Sequence, residues 1–330
     1  MFVCIAVTPL HGFLSPQSNL CESASPVGHT PTHFLVSVWE EVTFETKTIS
    51  QKCPRFLQYS VSVTGARAEP HHIQKNLQEI PHPNNSEDCS VLFVLETSSA
   101  EGEDSDQDSS ISRVRKTMQR GWTVISFSRA FPAIQARRLS RVPKLLPHLY
   151  FPFTRSVLYS DLKLLGGIKN IPSESIADRL LSEGAHFGIV QHPLSQTVMK
   201  ERDLILQAKQ VRPMILANEQ SLKSQVELIE MMLTDDELRS FGVEGQMFAR
   251  VIHSDISSSM FDMTWFEEFM MGSDRDQIAF YAAASRMRMK RTKEFTCDRF
   301  QRSGQYHSGV IKGFAMNIHC DLKEIIRPPA

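Results

Sequence analysis

Two rhythms of apolar residues run along this chain, one suited to strands and one to helices. Residues 57–64 (LQYSVSVT) alternate β-branched and aromatic side chains with small polar ones and stop at Gly65, which predicts a strand. Residues 91–95 (VLFVL) are continuously apolar, as in a strand buried on both faces. Residues 122–127 (WTVISF), 156–162 (SVLYSDL) and 186–191 (HFGIVQ) predict three more strands. Between them, residues 113–120 read as a basic helix and residues 133–146 as a second helix. Residues 173–183 read as a third, capped by Ser173 and stopped at Gly184. Beyond residue 195 the apolar positions recur at three- and four-residue steps over 196–210, 220–233, 261–271 and 274–290, so the second half is expected to be mostly helical. A short β-rich run at 34–44 and a Ser-, Pro- and Gly-rich stretch at 15–32 precede all of this.

Strands separated by helices predict an α/β fold with a mostly parallel sheet flanked by helices. Ligands of such sheets sit beyond the carboxyl ends of the strands, where Asp161 and His192 fall. Three segments are expected: an irregular lead-in over 1–56, a main domain over 57–292 and a C-terminal extension over 293–330. The lead-in and the loop 98–110 (SSAEGEDSDQDSS) lack the apolar periodicity that offsets chain entropy, so both are expected to pack poorly.

With 330 residues, 41% hydrophobic and 22% charged, the chain has material for a sizeable core, which excludes wholesale disorder. A net charge of -1 gives no reason to expect nucleic acid as a partner. No run approaches ~18 apolar residues, so no transmembrane helix is expected. The six cysteines include no C-x-x-C pair, which argues against a zinc ribbon. Their even number does not imply a disulfide framework in a chain with this much core.

Several motifs are absent: G-x-G-x-x-G after a strand, the P-loop, H-E-x-x-H and G-x-S-x-G. Three constellations remain. Asp161 and Lys163, two apart at a strand end, share a face; the carboxylate suits a metal ion or ribose hydroxyl and the ammonium a phosphate. A surface salt bridge is the plainer reading of that pair. His192 is held extended by Pro193, either toward a cleft or as an ordinary loop histidine. Trp265, Glu267 and Glu268 precede Ser273, Asp274, Arg275, Asp276 and Gln277, where Ser273 is placed to cap a helix starting at Asp274. Capping alone accounts for the acids there, but not for the Trp and the two Glu before them. The run 286–291 (RMRMKR) reads as a solvated basic helix end.

Taken in order, Gly121-Trp122-Thr123-Val124, Arg141-Val142-Pro143-Lys144-Leu145-Leu146-Pro147-His148, Tyr159-Ser160-Asp161-Leu162-Lys163-Leu164, His192-Pro193, Trp265-Phe266-Glu267-Glu268 and Ser273-Asp274-Arg275-Asp276-Gln277 resemble the glycosyltransferase-like family of the plant turgor-regulation-defect and mucilage-related proteins. The resemblance runs from about Leu57 to about Arg291. It implies a fold similar to the nucleotide-diphospho-sugar (GT-A) transferases, a nucleotide-sugar donor, a glycan or other hydroxyl acceptor, and a Golgi or secretory lumen setting linked to cell-wall polysaccharide. It implies donor-binding roles for Asp161, Lys163, Lys144, His148, Arg275 and Gln277, and an acceptor-binding role for Trp265. Asp276, Glu268 and His192 become the catalytic candidates, and a divalent metal (Mn or Mg) on Asp161 the candidate cofactor. The family's valine-aspartate-proline step after the aspartate strand is replaced here by Gly166-Gly167-Ile168-Lys169. Two other readings stay open: a non-catalytic carbohydrate-binding or scaffold protein, and a ceramide amidohydrolase built on His148, His192 and Asp161.

Overall fold

The structure is a computed structural model, and it describes residues 36, 39–64, 89–98, 114–130, 133–162, 173–182, 184–191, 227, 229–231, 234, 242–252, 256–271, 276–302 and 306–318. The described strands are β1 (Phe56–Thr64), β2 (Ser90–Ser98), β3 (Arg115–Gln119), β4 (Trp122–Ala130), β5 (Ser156–Ser160), β6 (Phe187–Gln191), β7 (Val243–Val251), β8 (Met289–Arg302) and β9 (Tyr306–Ile318). The principal helices are α1 (Thr43–Lys52), α2 (Ala133–Leu145), α3 (Pro147–Tyr150), α4 (Ser173–Leu181), α5 (Ile256–Met271) and α6 (Asp276–Arg286). All strands join one sheet in the order β3-β4-β2-β1-β5-β7-β6-β9-β8.

The α/β class expected from the sequence is the one observed. The parallel portion is β4-β2-β1-β5, the strands with the clearest apolar signal. Antiparallel strands extend it on both sides, β3 at one edge and β7, β6, β9 and β8 at the other. On one face, Leu57, Tyr59, Phe93, Phe127 and Tyr159 pack with α2, α5 and α6 in the main core. On the other, Ile176, Ala177, Leu180 and Leu181 of α4, at helical spacing, cover Leu158, Met247 and Ala249. α4 lies so close to β6 that a Cβ on Gly188 would overlap the Leu180 backbone carbonyl.

Four expectations need correction. Residues 39–52 are neither irregular nor a strand: they form a 3-10 turn (Glu40–Val42) and α1. Trp39 is wholly buried, and its ring meets Phe93 and Phe127 edge-on at 5.6 and 4.9 Å. One large aromatic supplies the burial that a periodicity count over this stretch misses. Next, residues 115–119 are a strand, not a helix. Arg120 and Gly121 both take positive φ (51° and 77°), the two-residue turn that folds β3 back on β4. Among the described residues the second half is not mostly helical, because β7, β8 and β9 run through it, the first two hidden by charged residues: Arg250 is buried in β7, and β8 is a polar edge strand. Finally, the expected C-terminal extension is part of the fold, since β9 pairs with β6. The acidic loop and the helix expected at 196–210 lie outside the described residues, as does most of the one at 220–233.

A disulfide joins Cys53, at the end of α1, to Cys89, just before β2. It ties the α1 turn to the parallel sheet, beside the Cys89 carbonyl that accepts from the Gln58 N–H at 2.9 Å.

Because the α4–β6 contact is backbone against backbone, Gly188→Ala should cost about 3 kcal/mol, the upper range for overpacking. Urea unfolding measures it, and a loss within error of wild type would mean that α4 is free to move.

Candidate functional site

The site grows from the end of β5. Tyr159 and Asp161 are two apart and share a face, and the Tyr159 hydroxyl donates to an Asp161 carboxylate oxygen. The Asp161 N–H donates to the Gln246 carbonyl at 2.8 Å, in the part of β7 where its register with β6 breaks. Bulges of this kind re-aim backbone groups beside functional sites. Burial, and then the adjacent Asp161 charge, push the Tyr159 hydroxyl well above its usual range, so it stays a donor.

α2 lies above this strand end. Pro143 within α2 has no N–H to give the Leu139 carbonyl, and the Trp39 indole donates to that carbonyl instead at 3.0 Å. The Tyr59 hydroxyl likewise donates to the Lys144 carbonyl at 2.9 Å. Thus seated, Lys144 holds its ammonium 4.8 Å from the centre of the Tyr159 ring and forms an ion pair with Asp276, the first residue of α6. Arg141, one helical turn before Lys144, brings its Nε to 3.5 Å from the same Asp276 oxygen. Lys144 and Asp276 are 1% and 5% exposed. Burial lowers the Lys144 ammonium's pKa, with Arg141 adding to the shift, while Asp276 and Asp161 oppose it.

Asp276 is anchored from both sides. The Trp265 indole donates to its backbone carbonyl at 2.8 Å. Gly245 of β7 approaches so closely that a Cβ there would stand 3.1 Å from Asp276 Oδ2. Gln277 follows it, nearly buried, with no hydrogen bond to its Oε1 among the described residues. The result is a compact set of two carboxylates and two cations, with Asp161 and Arg141 its partly exposed members.

Of the residues singled out from the sequence, Asp161, Lys144, Asp276 and Gln277 belong to this cluster or adjoin it. Trp265 does not serve as an acceptor platform: it is wholly buried and packs against Phe187, Phe248 and Phe280. Glu268 pairs with Arg286 at 2.7 Å, and Arg286 ends α6 while Asp276 opens it, about 15 Å apart along the helix. His148 sits elsewhere. Its Nδ1 lies 2.8 Å from Asp262, which also pairs with Arg250. Arg250 is level with Val157 and Phe187, the starts of β5 and β6, so this group belongs to the opposite sheet edge from Asp161. Lys163, His192, Arg275 and Ser273 lie outside the described residues. The ends of β5 and β6 do reach the same edge, with β7 between them.

Sequence reasoning passed over Arg141 and Tyr159, although spacing marked both. Arg141 is three before Lys144 on a helix, and Tyr159 is two before Asp161 on a strand. Among the described residues no three His, Cys, Asp or Glu side chains gather as a metal site. Asp161 stands as one carboxylate, and Asp276 is already ion-paired. A magnesium-type ion is usually held by one or two carboxylates together with substrate phosphates and waters, so Asp161 with a donor diphosphate would be the pair to hold one.

The buried ion pair sets a stability test. Asp276→Asn leaves Lys144 buried without its counter-charge and should cost about 3–5 kcal/mol. The apolar double replacement Lys144→Met with Asp276→Leu should recover most of that loss in the same denaturant titration. A pH test follows at the other edge. Burial, then Arg250, lower the His148 pKa from 6.5 to about 3. The unfolded chain therefore takes up this proton at a higher pH than the folded one. The contribution is complete above pH 6.5 and drains away as pH falls toward 3, by up to ~1.4 kcal/mol per unit. Stability curves from pH 7 to 4 should be steeper for wild type than for His148→Gln; parallel curves would contradict the assignment.

A structural likeness links the chain to the crystal structure of mouse xyloside xylosyltransferase 1, apo form, at 11% identity and a TM-score of 0.36, covering 70% of this chain and 82% of that one. At that identity and score the likeness does not bear on chemistry. No curated protein sequence is significantly similar. The family model for the TOD1/MUCI70 glycosyltransferase-like domain matches residues 47–308, a span that holds α2, the end of β5 and the start of α6, and the chain belongs to that family.

Proposed function

We propose that the protein transfers a sugar from a nucleotide-sugar donor to a hydroxyl acceptor at the carboxyl edge of β1 and β5. The observation that carries this reading is the meeting of Arg141, Lys144, Asp161 and Asp276 at one strand end, in a family described as glycosyltransferase-like. In the reaction the bond from the sugar's anomeric carbon to the donor diphosphate breaks, and a bond from that carbon to the acceptor oxygen forms. Negative charge collects on the departing diphosphate, so a fixed cation beside it lowers the barrier. Arg141 is the cation suited to this contact: its side chain is 19% exposed, whereas Lys144 stays with Asp276. Lys144 and Asp276 then act as the anchor that holds Arg141 and the start of α6 in place.

The acceptor hydroxyl must lose a proton. Asp276 is already ion-paired with Lys144 and Arg141, and Glu268 is engaged by Arg286. Asp161, partly exposed at the end of β5 and oriented by the Tyr159 hydroxyl, is the carboxylate that we assign to take it. Gln277, next to Asp276, keeps the donor-binding role that the family resemblance gives it. The family resemblance also keeps Lys163 and Arg275 as diphosphate contacts and His192 as a further catalytic candidate. An amidohydrolase reading loses support, because His148 and Asp161 sit at opposite edges of the sheet.

A secretory setting accords with the Cys53–Cys89 disulfide, since such bonds persist in oxidising compartments. Among the described residues no helix is long and apolar enough to cross a membrane.

Thermal unfolding with a panel of nucleotide sugars tests the proposal. A donor at a hundred times its Kd should stabilise the fold by about 2.7 kcal/mol. Arg141→Gln should shrink that shift. Asp161→Asn should keep the shift and the fold while cutting transfer by ~100-fold or more. Stabilisation by no nucleotide sugar would set the proposal aside.

A further inference from the structure

The two outermost strands of the sheet are protected differently. β8 closes one side with three register shifts against β9. Such irregularity spoils a strand as a template for another. β3 closes the other side in unbroken register with β4 from Arg115 to Gln119. Arg115, Lys116, Thr117 and Met118 are all exposed, although successive side chains point to opposite faces, so neither face of this strand is covered. Among the described residues no strand pairs with its outer side. The two-residue turn at Arg120 and Gly121 makes Gln119 and Trp122 the first bonded pair, so Gln119, Thr117 and Arg115 turn their backbone groups to β4. Lys116 and Met118 therefore turn theirs outward, each with an N–H and a carbonyl in strand geometry.

What protects β3 is charge of one sign. Residues 114–121 (VRKTMQRG) hold Arg115, Lys116 and Arg120 and no acid. A basic strand, or a second copy of this one, is repelled by such an edge, whereas an acidic strand is attracted. Lys116 is paired with Glu45 of α1 at 3.0 Å, with 39% of the lysine side chain and 32% of the glutamate side chain exposed. An ion pair this open is worth little and exchanges readily for another carboxylate. Met118, also well exposed, adds an apolar surface on the same face as Lys116, two residues along. Arg115 and Thr117 stand on the opposite face.

We infer that the outer side of β3 is a docking edge for an acidic, extended segment of a partner protein, which joins the sheet as one more strand. Backbone bonds to Lys116 and Met118 supply affinity, and side chains at alternate positions supply selectivity. Run antiparallel, the incoming strand places an apolar residue opposite Met118 and carboxylates two and three positions later, opposite Lys116 and Arg115. β3 lies four strand spacings, about 19 Å, from β5, so the docked segment leaves the Asp161 end free. The inference does not depend on the transferase reading.

Hydrogen–deuterium exchange of the full chain with the peptide acetyl-Ser-Thr-Val-Thr-Glu-Glu-Ser-amide tests it. The peptide should protect the amides of Lys116 and Met118, and its binding should weaken severalfold from about 50 to about 200 mM salt. A peptide with Lys-Lys in place of Glu-Glu, and one with Pro in place of Val, should each bind about tenfold more weakly or worse. Met118→Pro removes an outward donor from an edge strand, where proline is tolerated, and should abolish the protection while the melting temperature stays close to wild type. If that variant does not fold, Arg115→Glu with Lys116→Glu carries the test and should prefer the Lys-Lys peptide. No protection at Lys116 and Met118, or equal binding of the Lys-Lys or Pro peptide, overturns the inference. So does a concentration-dependent dimer that Met118→Pro dissolves, which would give the edge to a second copy. Protection that appears only after Glu101, Glu103, Asp104, Asp106 and Asp108 are made amides would give it to that segment of the chain itself, and overturns the inference as well.

Discussion

The ion pair between Lys144 and Asp276 is the contact on which the arrangement around Asp161 depends. It joins α2 to the first turn of α6 above the end of β5, with both charges taken out of water. Burying two charges is expensive, and such a pair is poor evidence of stability for its own sake. Here it has supports: Trp39 and Tyr59 hold carbonyls of α2, Trp265 holds the Asp276 carbonyl, and Gly245 leaves room for the carboxylate. These contacts fix where Arg141 and Asp161 stand, and those two are the members of the group that reach solvent.

The two edges of the sheet carry similar chemistry to different ends. At one, Asp262 is shared by His148 and Arg250, and Arg250 lies about 5 Å over Phe187 and Phe261. Burial brings the Arg250 pKa down to about 9 and His148 down to about 3, which suits a neutral imidazole bonded to a carboxylate. That group locks α3 and α5 to the starts of β5 and β6. At the other edge the ion pair leaves a carboxylate and a guanidinium partly open. Burial separates a structural charge cluster from one able to meet a ligand.

The parallel strands were legible because residues such as 91–95 are apolar without interruption and have no other place to go. β7 was not, since its buried Arg250 breaks the pattern, and its partners, Asp262 and the Ser258 carbonyl, stand on the helix that follows and not on the strand itself. β8 was not, because an edge strand needs no alternation. Lys144 was singled out by resemblance, and Asp276 by its place at a helix start as well. Their mutual contact, across 132 positions, has no local signature. His148 and Glu268 looked equally plausible in sequence, and only their partners, Asp262 and Arg286, remove them from the site. Trp265 illustrates the same limit: a tryptophan beside acids suggests a sugar platform until its ring proves to be core.

Hydrogen–deuterium exchange of the full chain, with and without a nucleotide sugar, measures the central claim most directly. New protection should fall on peptides covering Arg141 to Lys144, Ser160 to Leu162 and Asp276 to Ile278, with little change around Asp262. Protection centred on His148 and Asp262, with none at Asp161 or the start of α6, would contradict it.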